Sequence, residues 1–298
     1  AEELIAYLKE EPPLEAKVLS KEKKKETKNP PLLYNLAELQ NDCSKMFKIS
    51  PDETLKVVQE LYEKKLVTYP RTDARVLSTA VAKEIYKNIN GLMRYEPMAG
   101  FAKEAMNLGS FKGIAKTRYV NDKQITDHYA IIPTGQGMGN LRGLSPLSEK
   151  VYQVVCRRFL SIFYPAAIYQ KYSLVLERKK EQFFASFKVL SEPGYLKVAD
   201  VNLAKKSSIQ ETFSDEKEGN SAQTDEKNAE IPKVDRTLLL QVLADLKKND
   251  ILTIADLKVK EGETSPPKRY TSGSMILAME NAGQLIEDEE LRAQIKGS

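Results

Sequence analysis

The pattern of apolar and polar positions predicts helices in the first half of the chain and strands after residue 165. Leu55, Val58 and Tyr62 recur at helical spacing behind the Ser-Pro-Asp-Glu sequence at 50–53. That sequence is typical of a helix start, since serine caps free amides and proline fits the first turn. We therefore predict a helix from residue 51, followed by a short strand over 66–68.

Further helices follow from the same spacing. A second one is predicted over 78–90, where Gly91 suits a left-handed C-terminal cap. Residues 96–126 carry weak signals and are predicted to be loop-like. A long helix is predicted over 148–164, before Pro165, with four apolar residues at core spacing: Val151, Val155, Phe159 and Ile162.

After Pro165 the period changes to two, which is the period of a strand with one buried face. Two alternating runs lie on either side of a turn at 179–181 and predict an antiparallel hairpin: Tyr172, Leu174 and Leu176, then Phe183, Ala185, Phe187 and Val189. Strands are predicted again over 238–243 and 251–257. The chain then closes with a helix over 271–283 and a short one over 287–293.

The formal charge is unevenly distributed. The chain of 298 residues has a net charge of +4, but 207–230 holds seven acidic residues and two lysines, which leaves +9 for the rest. We expect 207–230 to be a mobile acidic loop or an insertion at a sheet edge. The positive remainder favours a surface that faces a polyanion. The lysine run 21–25 is either a solvated connector or a direct contact to DNA.

Composition excludes several classes of protein. Hydrophobic residues make up 41% of the chain, enough for more than one core, and no run of eighteen apolar residues predicts a membrane span. Cys43 and Cys156 are too few for a zinc motif or a disulfide framework. We expect reduced buried thiols in a cytoplasmic protein. Nothing in the sequence points to a particular oligomeric state.

Tyr69 and Arg71 are candidates for phosphodiester chemistry. A free tyrosine has a pKa of about 10, so its hydroxyl attacks well only when a cation or base favours the phenolate. In an extended backbone, residues i and i+2 face the same side, and Pro70 keeps Tyr69 out of a helix. The Arg71 guanidinium can then bind the phosphate that Tyr69 attacks.

Three further residues complete the candidate site. Thr72 and Asp73 could orient Arg71 or cap a following helix. His128 is the single histidine of the chain, so it is the one imidazole available for proton transfer near neutral pH. Taken separately, the 69–73 sequence is more often a turn at a helix boundary, and a lone histidine is more often structural.

The same two segments resemble a known family. The Tyr-Pro-Arg-Thr-Asp sequence at 69–73 resembles the active-site motif of type IA DNA topoisomerases, with Ala74 where the motif usually has serine. The Asp-His-Tyr-Ala-Ile-Ile-Pro-Thr sequence at 127–134 resembles their histidine motif, in the form closest to bacterial topoisomerase III. A third segment, 266–283, is similar to the part where the family's chain returns toward its gate. The resemblance runs from about residue 30 to the end, is weaker at 33–40, and is weakest across 200–235.

The resemblance implies a role for each residue. Tyr69 would become linked to the 5′ phosphate of a cut single strand, Arg71 would stabilise the transition state, and His128 would bond the DNA backbone next to the scissile phosphate. Lys268 and Arg269 are candidate DNA contacts, although two cations after a Pro-Pro turn are more often merely solvated. Religation would need no ATP, since the phosphotyrosine keeps the energy of the broken bond.

The resemblance also implies an α+β multidomain fold, part of the family's toroid. A helical tyrosine-bearing domain, 31–165, would be inserted in a β-rich gate domain formed by 1–30 and 166–262. Residues 263–298 would begin the domain that holds single-stranded DNA.

Some parts of the family pattern are missing. The family binds Mg²⁺ through an Asp-x-Asp cluster in a Toprim domain, and the sequence has no Asp-x-Asp pair. We therefore expect an excised central fragment that binds no metal and is inactive alone. The alternative is a catalytically inactive module that binds single-stranded nucleic acid. A tyrosine recombinase fits less well, because that chemistry draws on several Arg, His and Lys residues around its tyrosine.

Overall fold

The computed structural model describes residues 1–199, 210–211 and 236–282. Its α+β chain forms two compact units, and each consists of segments that are distant in sequence. The β-rich unit comprises residues 1–28, 166–194 and 200–265. The helical unit comprises residues 29–165, 195–199 and 266–298.

An antiparallel sheet organises the β-rich unit. Its strand order is β4-β3-β2-β1-β5, and every neighbouring pair is antiparallel. The strands are β1 (Glu15–Lys28), β2 (Ala167–Arg178), β3 (Glu181–Glu192), β4 (Gln210–Glu211) and β5 (Ile251–Thr253). The predicted hairpin is confirmed as β2 and β3, which pair from Arg178–Glu181 onwards. Lys179 and Lys180 form its turn, both with positive φ.

Within its described residues, the β-rich unit has two α-helices, α1 (Glu2–Lys9) and α8 (Arg236–Asp245). The strand predicted over 238–243 is wrong, because these residues lie in α8. Leucine is a strong helix former, and the helical spacing of Leu243 and Leu246 carries both onto the sheet. They pack there in one buried cluster with three sheet residues: Val18, Tyr172 and Leu174. The prediction over 251–257 is confirmed only for the three residues of β5.

The lysine run 21–25 is part of β1, so the prediction of a connector is wrong. The Lys21 ammonium donates hydrogen bonds to the carbonyls of Leu243 and Ala244, at the C-terminal end of α8. A cation is favourable there because the last carbonyls of a helix are unpaired. Lys24, by contrast, is exposed and pairs with Glu22. The proposed contact to DNA stays a prediction.

The helical unit contains seven α-helices and three 3₁₀ segments within its described residues. The α-helices are α2 (Leu36–Phe47), α3 (Pro51–Glu63), α4 (Thr79–Leu92), α5 (Glu96–Leu108), α6 (Pro146–Ser161), α7 (Leu196–Ala199) and α9 (Ser272–Glu280). The 3₁₀ segments are Ser110–Lys116, Asp122–Gln124 and Met138–Gly143.

The start of α3 is confirmed, since the Ser50 side chain accepts the Glu53 amide. Its buried face is partly different from the prediction. Val58 is fully buried, but Tyr62 is 39% exposed, so Tyr62 is not a core residue. The other buried positions of α3 are Thr54, Val57 and Leu61.

Gly91 does not cap α4, because the helix continues to Leu92. Its missing side chain serves a different purpose. A Cβ atom built on Gly91 would lie 2.0 Å from the carbonyl oxygen of Gly135. Glycine is required here because the helix backbone approaches a loop backbone directly.

The loop-like prediction for residues 96–126 is wrong over Glu96–Leu108, which form α5; the rest consists of two 3₁₀ segments and irregular stretches. α5 begins after Tyr95, has Pro97 in its first turn and ends at Gly109, which adopts a left-handed conformation. Pro146 similarly starts α6 two residues earlier than predicted. The four residues predicted to be core are confirmed as buried: Val151, Val155 and Phe159 within α6, and Ile162 directly after it.

α9 begins where predicted, with Thr271 and Ser274 forming a capping box. The helix predicted over 287–293 lies outside the described residues, as does most of 207–230. Within 207–230, only the short strand β4 is described, and it pairs with β3 at the sheet edge.

Cys43 and Cys156 are free and buried, as predicted. Burial raises the pKa of the Cys43 thiol to about 12 and also raises that of Cys156. No helix in the described part of the chain has both the length and the apolar character needed to cross a membrane.

Candidate active site around Tyr69

Tyr69 follows α3 after a tight turn. The amide of Lys65 donates to the Tyr62 carbonyl at 2.8 Å, and the amide of Leu66 donates to the Leu61 carbonyl at 2.9 Å. Lys65 adopts a left-handed conformation with φ 61°. The turn ends α3 and directs the chain into the extended segment that carries Tyr69.

The predicted strand over 66–68 is an isolated bridge, in which Val67 pairs with Pro133. On either side of the bridge, the Thr68 amide donates to the Ile132 carbonyl and the Thr134 amide donates to the Leu66 carbonyl, both at 3.0 Å. The bridge therefore holds the tyrosine and histidine segments side by side, although they are far apart in sequence.

Threonine hydroxyls supplement this backbone pairing. The Thr68 hydroxyl donates to the Ala130 carbonyl and accepts the Ile132 amide, both at 3.0 Å. The Thr72 hydroxyl donates to the His128 carbonyl at 2.8 Å and accepts the Ala74 amide at 3.1 Å. Thr72 is buried, so water does not replace these bonds readily.

The Tyr69 and His128 rings are in contact. Their centroids are 4.4 Å apart at an interplanar angle of 41°. The centroid of the Tyr62 ring lies 5.5 Å from that of the Tyr69 ring, and the two rings meet edge to face at an interplanar angle of 83°. His128 is exposed and Tyr69 is half-buried. The nucleophile and histidine predicted from sequence thus lie together at an accessible surface.

Arg71 and Asp73 lie in the same loop as Tyr69, and both are exposed. Within the described ranges, no hydrogen bond or ion pair engages the Arg71 guanidinium, so it is available to an anion. Lys268 and Arg269 are exposed just before α9.

Asn35 supports the loop from α2, a role that the sequence analysis missed. Its side-chain oxygen caps α2 by accepting the Glu38 amide, and its amide donates to the Asp73 carbonyl at 3.2 Å and to the Glu280 carboxylate of α9. Partial burial raises the pKa of Glu280. An asparagine immediately before an apolar helical pattern is a recognisable cap. Its bonds to Asp73 and Glu280 depend on the tertiary structure and could not be read from the sequence.

A metal site does not fit these residues. Among residues 1–199, 210–211 and 236–282, no group of three His, Cys, Asp or Glu side chains is close enough to hold an ion. No chemical step is therefore assigned to a metal bound by them.

Comparison with known proteins places the chain in a family. A family model described as DNA topoisomerase matches residues 1–284. DNA topoisomerase 3 of Bacillus subtilis is 35% identical over 263 residues, which cover 87% of this chain and 32% of that protein. The enzyme of the same name from Bacillus cereus strain ZK / E33L is 30% identical over 278 residues, 92% of this chain and 34% of that protein. The chain thus spans about a third of the length of these curated relatives.

A solved structure has the same fold. The full-length topoisomerase I from Thermotoga maritima superposes with a TM-score of 0.59 at 22% identity, covering 95% of this chain and 40% of that one. The likeness of fold agrees with the sequence matches, and the chain belongs to the type IA DNA topoisomerases, close to topoisomerase III.

Proposed function

We propose that this chain carries the strand-cutting tyrosine of a topoisomerase, which breaks and rejoins one DNA strand through a 5′-phosphotyrosyl intermediate. The proposal is supported chiefly by the contact between the Tyr69 and His128 rings at an exposed surface. In the same loop, the Arg71 guanidinium is exposed and has no partner among the described residues. The same surface therefore carries a candidate nucleophile, Tyr69, together with a cation that can bind phosphate, Arg71, and an imidazole, His128.

In the proposed reaction, the Tyr69 oxygen attacks the phosphorus of a single-stranded phosphodiester and loses its proton. A new phosphorus–oxygen bond forms as the bond to the 3′ oxygen breaks, and that oxygen leaves with a proton as a 3′ hydroxyl. Arg71 stabilises the charge that develops on the phosphate oxygens. His128 holds the neighbouring phosphate by hydrogen bonding. Religation reverses these steps, so no ATP is consumed.

We further propose that the whole enzyme relaxes or decatenates DNA in the bacterial cytoplasm. The helical unit would be the tyrosine domain of the toroid, and it would move to admit a second strand. Residues 263–298 would begin the domain that holds single-stranded DNA, with Lys268 and Arg269 on phosphates. Magnesium would be held by a Toprim domain, as the resemblance to the family implies.

Covalent trapping tests the nucleophile. A protein that joins residues 1–298 to a Toprim domain, here called the extended enzyme, is mixed with single-stranded DNA labelled at its 3′ end and with Mg²⁺, and is then denatured. We expect labelled protein linked through the 5′ phosphate, and no label with Tyr69→Phe. Tyr86→Phe is the matched control, since Tyr86 is an exposed tyrosine of α4 outside the site. An adduct that survives Tyr69→Phe would refute the assignment.

The second candidate function is a nucleic-acid-binding module without catalysis. It is favoured by the exposed aromatic and basic side chains around Tyr69, which suit stacking and phosphate contact without any reaction. Binding of the labelled strand without an adduct would support it. The chain of 298 residues alone is expected to leave a supercoiled plasmid unrelaxed, and relaxation by it would contradict the proposed need for a Toprim domain.

A further inference from the structure

An open cavity of about 590 Å³ begins at the Tyr69 ring and reaches the end of α3. Its size lies within the range of pockets that bind small organic ligands. Four rings and three long polar side chains characterise its wall: Tyr62, Tyr69, His128 and Tyr129, with Glu63, Lys65 and Gln136. This combination of flat apolar faces and a few polar groups suits a heteroaromatic ligand.

Tyr62 is the unusual member of this wall. It lies beside the buried face of α3, yet 39% of it is exposed. Its ring stands at 83° to that of Tyr69, so the two rings share little area. A large aromatic side chain left open to water at a cleft is a candidate contact for a ligand, because covering it removes apolar surface from water.

The backbone holds Tyr62 in place before any ligand arrives. It lies in the last turn of α3, and its carbonyl accepts the Lys65 amide at 2.8 Å. A tyrosine has only two side-chain torsions to fix, so contact with such a ring costs little conformational entropy.

The position of the cavity indicates its occupant. Under the proposed function, the Tyr69 hydroxyl attacks a phosphate of the DNA. The cavity starts at the ring of the same residue. A base is joined to its phosphate through one sugar, so the base that enters belongs to a nucleotide attached to that phosphate. Glu63, Lys65 and Gln136 are exposed at the cavity and supply one negative charge, one positive charge and one amide.

We propose that this cavity is a nucleobase subsite, in which Tyr62 stacks on the base of one of the two nucleotides that flank the phosphate attacked by Tyr69. The assignment rests on the proposed function of Tyr69. Stacking tolerates any base, since every base has a π face, so the subsite grips single-stranded DNA without reading its sequence. A paired duplex keeps both faces of its bases covered and cannot offer one to Tyr62.

Abasic substitution coupled to mutation tests the subsite. The scissile position of a short oligonucleotide is mapped by the adduct of the extended enzyme, and two further oligonucleotides lack the base on one or the other side of it. Binding is measured in the Tyr69→Phe background, which cannot cleave. Removal of the stacking base is expected to weaken binding about tenfold, the size of one base–aromatic contact.

Tyr62→Leu is expected to weaken binding of the intact oligonucleotide by the same factor. When Tyr62→Leu is combined with removal of the stacking base, we expect no further weakening. Tyr62→Phe keeps the ring and should retain the full effect of the base. Tyr86→Leu, on the exposed face of α4, is the control for a tyrosine lost elsewhere. Independent, multiplying effects of Tyr62→Leu and both abasic changes would overturn the subsite and leave Tyr62 as a support for Tyr69.

The two proposals fail in distinguishable ways. An adduct at Tyr69 without coupling between Tyr62 and either base refutes the subsite alone. If no adduct forms, an abasic residue is moved through the oligonucleotide position by position. Coupling to Tyr62 at one position then supports the stacking contact while refuting catalysis by Tyr69, and coupling at none refutes the subsite as well.

Discussion

The β-rich unit and the helical unit secure their important segments in different ways. The β2–β3 hairpin is held by an unbroken ladder of backbone pairs from Arg178–Glu181 to Tyr169–Leu190, and a register shift separates this ladder from the last pair, Ile168–Glu192. The tyrosine and histidine segments have only a single bridge, and threonine side chains make the remaining bonds. A ladder distributes stability over many equivalent bonds, whereas the site depends on a few particular side chains. Single substitutions should therefore damage the site more than the hairpin.

The largest effect is expected where α4 meets the loop after the histidine segment. Gly91→Ala would place a methyl carbon 2.0 Å from the Gly135 carbonyl oxygen, and neither backbone can yield cheaply. We expect a loss of about 3 kcal/mol in the free energy of unfolding, measured by urea denaturation.

Gly100→Ala is the matched control, because Gly100 is also helical and its added methyl would meet nothing within 4 Å. It should stabilise the chain by about 0.5–1 kcal/mol through helix propensity. Equal effects of the two substitutions would contradict the close approach at Gly91.

A smaller loss is expected at Thr72. Thr72→Val keeps the shape of the side chain but removes its hydroxyl. The His128 carbonyl loses the donor and the Ala74 amide loses the acceptor that this hydroxyl provided. We expect a cost of about 2 kcal/mol in unfolding free energy, and less adduct in the trapping assay because the two segments separate.

Thr117→Val is the control for Thr72. The Thr117 hydroxyl makes the same pair of bonds, to the Ile114 carbonyl and from the Tyr119 amide, but the residue is exposed. Water can replace the lost bonds there, so the cost should be about 0.5 kcal/mol or less. A Thr72 variant with unchanged adduct yield would show that the hydroxyl does not position the site.

The smallest effect is expected at the hairpin turn, and it has the opposite sign. Lys180 has φ 70°, a conformation that costs a side-chain-bearing residue energy and glycine none. Lys180→Gly should stabilise the chain by about 0.5 kcal/mol, after the greater freedom of glycine in the unfolded chain is subtracted. Lys180→Ala removes the same charge but keeps the strain, so thermal unfolding should show no gain for it.

The outcomes of the sequence predictions depend on how strong and unambiguous the periodic signal of each element is. The alternation around Tyr172 and Phe187 was sufficient for the hairpin, and Ser50 and Thr271 marked two helix starts correctly. The leucines at 238–240 were misread as a strand, because a short apolar run fits both periods and only packing against the sheet selects the helix. α5 was missed because its buried residues are sparse and two of the three are alanine: Met98, Ala102 and Ala105.

The sequence by itself determined the family, the residue types of the site and the elements with a strong period, since these depend on local chemistry and spacing. Tertiary structure alone decided which residues meet. Thr72 bonds the backbone of His128 across 56 positions of sequence, and Gly91 is required because another backbone lies against it. Tertiary structure likewise decided that Tyr62 is exposed to solvent. A residue's partners and its solvent exposure depend on distant segments, and a periodic pattern carries no information about them.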